Sequence, residues 1–205
     1  TIEYEHLHGE LSAAELAGER VLFFTKQRTG SLDYLNPEAA QAFLRSTHEE
    51  YYRRYGEHFG KTITHIFMDE AGMFARKPGS IPWTGRFAEE FEKRRGCNLF
   101  PKLPDLFFDT KGCEATRFDY WTTATELFRE GFGIPLNEWC QAHNIHYTGH
   151  YVFETSMKEA IKELGSTMPL YEHMGFPGID VLGNDFYSIR FEQEAFGYYS
   201  LMVKQ

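Results

Sequence analysis

Residues 62–68 (TITHIFM) constrain the fold more than any other segment, because they form a short β-branched and aromatic run that ends on two acids. Large apolar side chains occur on both alternating faces, a pattern typical of a parallel strand covered on both sides. Asp69 and Glu70 follow directly, and successive side chains of a regular strand point to opposite faces. We therefore expect one of the two carboxylates to enter a site at the strand's C-terminal end. The alternative is that both acids only cap or hold the next loop.

Strands and helices alternate along the whole chain. Further strands are predicted at residues 19–26, 145–152 and 179–182, and helices at residues 37–55, 86–95, 114–143 and 156–164. Asn36 and Pro37 suit the N-cap and first turn of the first helix, and Gly96 is expected to end the second. Gly131, Gly133 and Pro135 are expected to interrupt the third helix. Short apolar strands separated by helices are typical of βαβ units and a parallel sheet.

These units predict an α/β fold, a partial TIM (β/α)8 barrel with about four parallel βα units. Residues 1–205 then form a single partial barrel domain, with residues 1–18 as a candidate remnant of a preceding domain. A half barrel leaves two open sheet edges, so we expect a homo-oligomer or completion by further chain. A last helix is predicted from Tyr187 onward. Because the chain opens on Thr1 and stops within this helix, we expect it to be a piece of a longer protein.

Composition excludes several classes of partner. The chain carries 21 Lys and Arg against 30 Asp and Glu, a net charge of −9, and has no basic cluster interleaved with aromatics, so nucleic acid is not an expected partner. No apolar run approaches the roughly 20 residues that cross a bilayer, so no membrane association is expected. Cys97, Cys113 and Cys140 are isolated thiols without CxxC spacing, which favours a reducing, cytoplasmic compartment.

Several further side chains are candidates for binding a substrate. Trp83 lies in a long apolar loop after the strand and is expected to provide a platform for a sugar ring. His150 lies near the end of the third predicted strand, with Glu154 just beyond it. Glu172 precedes the fourth predicted strand and Asp180 lies within it. The alternatives are a structural, hydrogen-bonded histidine and ordinary surface or capping acids.

Common catalytic motifs are missing from the sequence. None of the nine histidines falls in an HExxH pattern, and the HxH of His6 and His8 lies in a polar N-terminal stretch, so a zinc site is weakly supported. No GxGxxG, P-loop or GxSxG motif is present either. Paired carboxylates therefore remain the best chemical resource of the chain.

Five short motifs, taken in order, resemble a known family. They look like the barrel region of the α-L-rhamnosidases of glycoside hydrolase family 106, and the similarity extends from about Asp33 to the end of the chain. The motifs are residues 33–39 (DYLNPEA), 67–70 (FMDE), 81–84 (IPWT), 148–150 (TGH) and 177–180 (PGID).

That resemblance implies a larger enzyme, in which a barrel joined to β-sandwich domains removes terminal rhamnose with inversion. It implies that Glu70 is the catalytic acid and that calcium is a candidate cofactor, with its ligands unknown. Asp69 and the other candidate acids are then expected to bind the carbohydrate substrate. The partner base of such enzymes belongs to a later strand of the barrel, which we expect just after Gln205.

Two hypotheses of different class follow from these residues. The first is an incomplete inverting glycosidase, whose acid needs a pKa raised by burial or by a neighbouring carboxylate. The second is a non-catalytic carbohydrate-binding or structural half-barrel, because one carboxylate alone does not support the two-carboxylate mechanism. Another glycosidase specificity, and a metal-dependent hydrolase built on His150 and the acids, are weaker alternatives.

Overall fold

The computed structural model describes residues 22–26, 28, 30–73, 79–152 and 157–178. Backbone contacts divide the chain into two compact units, Thr1–Gly30 with Gly85–Tyr120, and Ser31–Thr84 with Trp121–Gln205. We call them the small unit and the sheet unit. No helix within the described ranges is long and apolar enough to span a membrane.

Helices dominate the described residues. The α-helices are α1 (Pro37–Ser46), α2 (His48–Tyr55), α3 (Phe87–Arg95), α4 (Leu103–Phe107), α5 (Cys113–Phe128), α6 (Ile134–Ala142), α7 (Met157–Leu164) and α8 (Met168–Tyr171). Short 3-10 helices cover Gly56–His58 and Phe100–Lys102, and a π-helix covers Arg129–Gly133. The strands are β1 (His65–Ala71), β2 (His146–Tyr151) and β3 (Phe176–Pro177).

The strands of the sheet unit form one parallel sheet in the order β1-β2-β3. Met68 lies opposite Gly149 in the register, and the pairing is irregular between Met68 and Ala71. Gly149 has φ +138°, and a Cβ at this position would lie 2.0 Å from the Met68 carbonyl oxygen. The glycine is therefore required by the close approach of the two backbones.

The predicted partial TIM barrel with four βα units is wrong. The described residues form only three parallel strands, and the third is two residues long. Leu22, Phe23 and Phe24, from the predicted first strand, are exposed and lie outside the sheet. An apolar run predicts a strand only when a sheet is there to pair with it, and residues 22–26 pair with none of the three described strands. The predicted fourth strand, residues 179–182, lies outside the described residues.

The predicted helix starts are confirmed more closely than the helix lengths. Asn36 caps α1 by accepting a hydrogen bond from the Glu38 N–H at 3.0 Å. The single helix predicted over residues 37–55 is divided at Thr47, whose hydroxyl donates to the Phe43 carbonyl at 2.7 Å. Side-chain bonding of threonine to the preceding turn competes with regular helix geometry, which explains the break.

The predicted interruption of the third helix is present and takes the form of the π-helix. Gly131 lies against a neighbouring loop, where an added Cβ would be 2.9 Å from the Tyr34 carbonyl oxygen. Pro135 follows at the start of α6 and has no backbone N–H to continue a regular α-helical ladder. Phe128 and Phe132 project from this region into a buried aromatic cluster with Tyr34 and Tyr151, at centroid distances of 4.7–5.9 Å.

The small unit is organised around α3 and the start of α5. Glu90 of α3 is buried and forms ion pairs with Arg86 and Arg94 one turn to either side. The hydrogen bond from Arg86 and the other basic neighbours lower the pKa of the Glu90 carboxyl, against the effect of burial. Gly96 ends this helix in the left-handed conformation, with φ +71°, as its sequence position predicts.

Candidate functional site

The C-terminal ends of β1 and β2 bring Asp69 and His150 together. The Nε2 atom of His150 lies 3.0 Å from Oδ1 of Asp69. The two side chains differ strongly in exposure, at 7% for His150 and 79% for Asp69. The parallel register explains the contact, because the two strands run in the same direction and end at the same edge of the sheet.

His150 is suited to holding Asp69 in place. Its Nδ1 atom is buried, its Nε2 atom faces the carboxylate, and its ring lies 5.8 Å from the ring of Phe67. A histidine that acts as a general base needs one ring nitrogen within reach of the substrate. This imidazole instead fixes the direction of an exposed carboxylate, which leaves the second oxygen of Asp69 for a ligand.

Glu70 follows Asp69 at the irregular end of β1. It is exposed and has φ +49°, a left-handed conformation that is uncommon for a residue other than glycine. The expectation of a regular strand end fails here, because the break in pairing after Met68 leaves both carboxylates exposed. Strained backbone of this kind clusters at ligand sites in proteins.

The remaining predicted site residues are Trp83, Glu172, Glu154 and Asp180. Trp83 is half-buried, with its indole Nε1 buried, beside Thr84, whose hydroxyl donates to Asp33 at 2.7 Å. Glu172 is exposed in the turn after α8, where its charge acts on the neighbouring His173. No hydrogen bond or ion pair joins Glu172 to the Asp69–His150 pair. Glu154 and Asp180 lie outside the described residues.

Sequence analysis missed the ring cluster on the open face of the sheet. The rings of His65, His146 and Phe176 lie 4.7–5.4 Å apart, one from each strand. Phe67 lies on the same face and is 62% exposed, and Phe176 is 52% exposed. The alternation of His65, Phe67 and Asp69 along β1 is the signal for this cluster, and the prediction that helices cover both faces of the strand is wrong, because these three residues are exposed.

The described residues do not fit a calcium site. They contain no group of three or more His, Cys, Asp or Glu side chains arranged to hold a metal ion. Calcium takes six to eight oxygen ligands, whereas Asp69 has an imidazole as its nearest partner. Calcium therefore stays a prediction that rests on the resemblance alone, and no step of the chemistry is assigned to it.

Comparison with known proteins adds no family to this picture. No protein-family model and no curated protein matches the chain. The resemblance to the rhamnosidases therefore rests on the five motifs, and the argument for function rests on the chemistry of the site.

Proposed function

We propose that the Asp69–Glu70–His150 site binds a carbohydrate, and that the protein is a glycoside hydrolase for terminal α-L-rhamnosyl groups or a related sugar. The observation that supports this proposal is the His150–Asp69 pair at 3.0 Å, next to an exposed Glu70 and an open aromatic face. Carboxylates that accept hydrogen bonds from sugar hydroxyls, beside a ring that packs on the sugar's C–H face, form a common carbohydrate site.

Each residue has a separate role in the proposed reaction. Asp69, oriented by His150, accepts hydrogen bonds from sugar hydroxyls, and Phe67 packs against the ring. Glu70 donates its proton to the departing glycosidic oxygen. Water, activated by a second carboxylate on the other side of the sugar, attacks the anomeric carbon as that bond breaks, which gives inversion. None of the described residues is assigned the water-activating role.

Glu70 acts as the acid only if it carries a proton when the sugar is bound. In the free protein Glu70 is exposed and follows Asp69 directly. The proposal therefore requires the bound sugar to shield this carboxyl from water.

The second candidate function is carbohydrate binding without turnover. The same Asp69–His150 pair supports it, because an oriented carboxylate binds a hydroxyl whether or not a bond is broken. Cytoplasmic action is the proposed setting, since Cys97, Cys113 and Cys140 are free thiols. No nucleic-acid partner is proposed for a chain of net charge −9, and a homo-oligomer remains a proposal.

Binding and turnover should be measured separately. Binding of methyl α-L-rhamnoside is measured by protein-observed NMR, and the sugar should perturb the signals of β1 and β2. Asp69→Asn should weaken binding by about tenfold, which corresponds to the loss of one charge-assisted hydrogen bond. Glu172→Gln removes an exposed carboxylate outside the site and serves as the matched control.

Hydrolysis of an aryl α-L-rhamnoside tests the catalytic half. Activity that Glu70→Gln abolishes while sugar binding persists would support the glycosidase. Because the water-activating carboxylate is not assigned, the assay is repeated with azide, a nucleophile that needs no activation by a base. Binding without turnover in the wild type, with or without azide, would favour the second candidate. Binding that Asp69→Asn and Glu172→Gln affect equally would overturn the site.

A further inference from the structure

A second polar site lies within the sheet unit, where the π-helix contacts α8. Arg129 begins the π-helix, and His173 lies in the turn after α8, close enough for the charge of Arg129 to act on its imidazole. Both side chains are partly buried, and the Nε atom of Arg129 and the Nε2 atom of His173 are each buried without a hydrogen-bond partner. Two shielded nitrogen atoms with no partner are unusual, because buried polar atoms are nearly always hydrogen-bonded.

The guanidinium of Arg129 also has no carboxylate within ion-pair distance among the described residues. Glu138 of α6 and Glu172 are the acids whose charges act on His173, yet neither forms an ion pair with Arg129. A partly buried cation without a counterion is costly, and the cost falls when an anion binds it. Moreover, π-helices occur frequently at functional sites.

We propose that Arg129 and His173 form a binding site for a small oxyanion, such as a phosphate or a carboxylate group. The planar guanidinium presents its N–H groups as a fork that matches two oxygens of such a group. In the tautomer that carries a proton on Nε2, His173 donates a further hydrogen bond. The site is independent of the proposed sugar site.

Proton binding by His173 should strengthen oxyanion binding. Burial, followed by the charge of Arg129, lowers the pKa of His173, whereas Glu172 and Glu138 raise it. The imidazole is therefore neutral at pH 7 and becomes a second cation only as the pH falls below its ordinary value of 6.5. Oxyanion affinity should rise over that pH range.

Thermal unfolding at constant ionic strength tests this site. Inorganic phosphate and sodium acetate, each titrated against sodium chloride, distinguish a phosphate from a carboxylate ligand, and phosphorus NMR measures phosphate binding directly. At least one of the two anions should raise Tm in a saturable way. Arg129→Gln should abolish this rise, and Arg129→Lys, which keeps the charge but not the fork, should weaken binding by about tenfold. His173→Asn should remove the strengthening at low pH.

The control is Arg53→Gln, which removes an exposed cation already paired with Glu50 and should leave the anion effect unchanged. Circular dichroism establishes that each variant is folded. If Arg129→Gln does not fold, Arg129→Lys and His173→Asn decide the outcome. The proposal is overturned if neither anion produces a saturable shift in the wild type, which leaves water as the partner of these nitrogens. An equal shift in wild type, Arg129→Lys and His173→Asn would overturn it as well.

Discussion

The two faces of the parallel sheet contain similar residue types in very different surroundings. On β2, Tyr147 and Tyr151 are fully buried, and Tyr151 packs against Phe128. His146 lies on the opposite face of the same strand and is exposed. On β1, Phe67 is 62% exposed although it is as apolar as Phe128. An aromatic residue of this sheet therefore stabilises the fold where helices cover it, and within the described part of the chain the other face is exposed and available for binding.

The polar groups on the two sides of the sheet differ as well: those on the buried side are kept neutral, and a carboxylate lies on the exposed side. Burial raises the pKa of the Tyr147 and Tyr151 hydroxyls and so keeps them neutral. Burial also raises the pKa of the Cys140 thiol to about 12, which makes this cysteine unreactive. The open face instead carries the exposed Asp69 carboxylate. A carboxylate in this exposed position stays hydrated, which avoids the cost of desolvating a charge.

The largest expected effect is a difference in the free energy of unfolding between variants on the buried and the exposed face of the sheet. Phe128→Ala removes a fully buried ring that lies 5.9 Å from Tyr151, and should lower the free energy of unfolding by about 3–5 kcal/mol. Phe67→Ala makes the same change at an exposed position and should cost about 0.5 kcal/mol or less. Urea unfolding monitored by circular dichroism measures both. Similar losses in the two variants would show that the open face is covered in solution.

Gly149→Ala should produce the next largest loss, about 2–3 kcal/mol, through backbone strain between the strands. The added Cβ would lie 2.0 Å from the Met68 carbonyl oxygen at a φ of +138°. Gly85→Ala is the control, because nothing lies within 4 Å of its added Cβ, and its stability should change little. A wild-type-like urea midpoint for Gly149→Ala would contradict the close strand approach at this position.

The local features of this fold and two parallel strands of its sheet were predictable from sequence, whereas the number of strands was not. Asn36, Pro37 and Gly96 act through their own backbone geometry, so their roles as helix caps are visible in the sequence. Burial of a strand depends on partners distant in sequence, and the apolar run at residues 22–26 has none in the sheet. This is one reason why the prediction of four parallel strands was wrong.

The candidate site was predictable only in part, for a related reason. Residue type identified Asp69, Glu70 and His150, but the contact between Asp69 and His150 depends on the register of β1 and β2. The irregular pairing that leaves both acids exposed has no signal in the sequence. Arg129 and His173 were not predicted, because they lie 44 positions apart in the sequence. The periodicity of the sequence does not show that their two elements come close together.

Acid should lower the free energy of unfolding through His48, a buried residue packed between Phe43 of α1 and Trp139 of α6. Burial lowers the pKa of His48 to about 4, while its ordinary value is 6.5, so the unfolded chain binds a proton that the folded chain rejects. The stabilisation is complete above pH 6.5 and is lost as the pH falls toward 4, by at most about 1.4 kcal/mol per pH unit. Urea unfolding between pH 7 and pH 4 should show this slope.

His48→Phe should reduce that slope by one proton, because the ring lies between Phe43 and Trp139 and needs no charge there. An unchanged slope would mean that the acid sensitivity arises from other groups.

The smallest expected effect lies within the candidate site itself, between two partners of one hydrogen bond. Asp69→Asn should change stability by less than about 0.5 kcal/mol, because the side chain is 79% exposed and water replaces its partner. His150→Asn should cost more, about 1–2 kcal/mol, since it disturbs a side chain that is only 7% exposed and packs near Phe67. The double variant should cost little more than His150→Asn alone, because the interaction with Asp69 is already lost. Equal losses from the two single variants would show that Asp69 contributes to folding as much as His150 does, and would remove the argument that its carboxylate is held for a ligand.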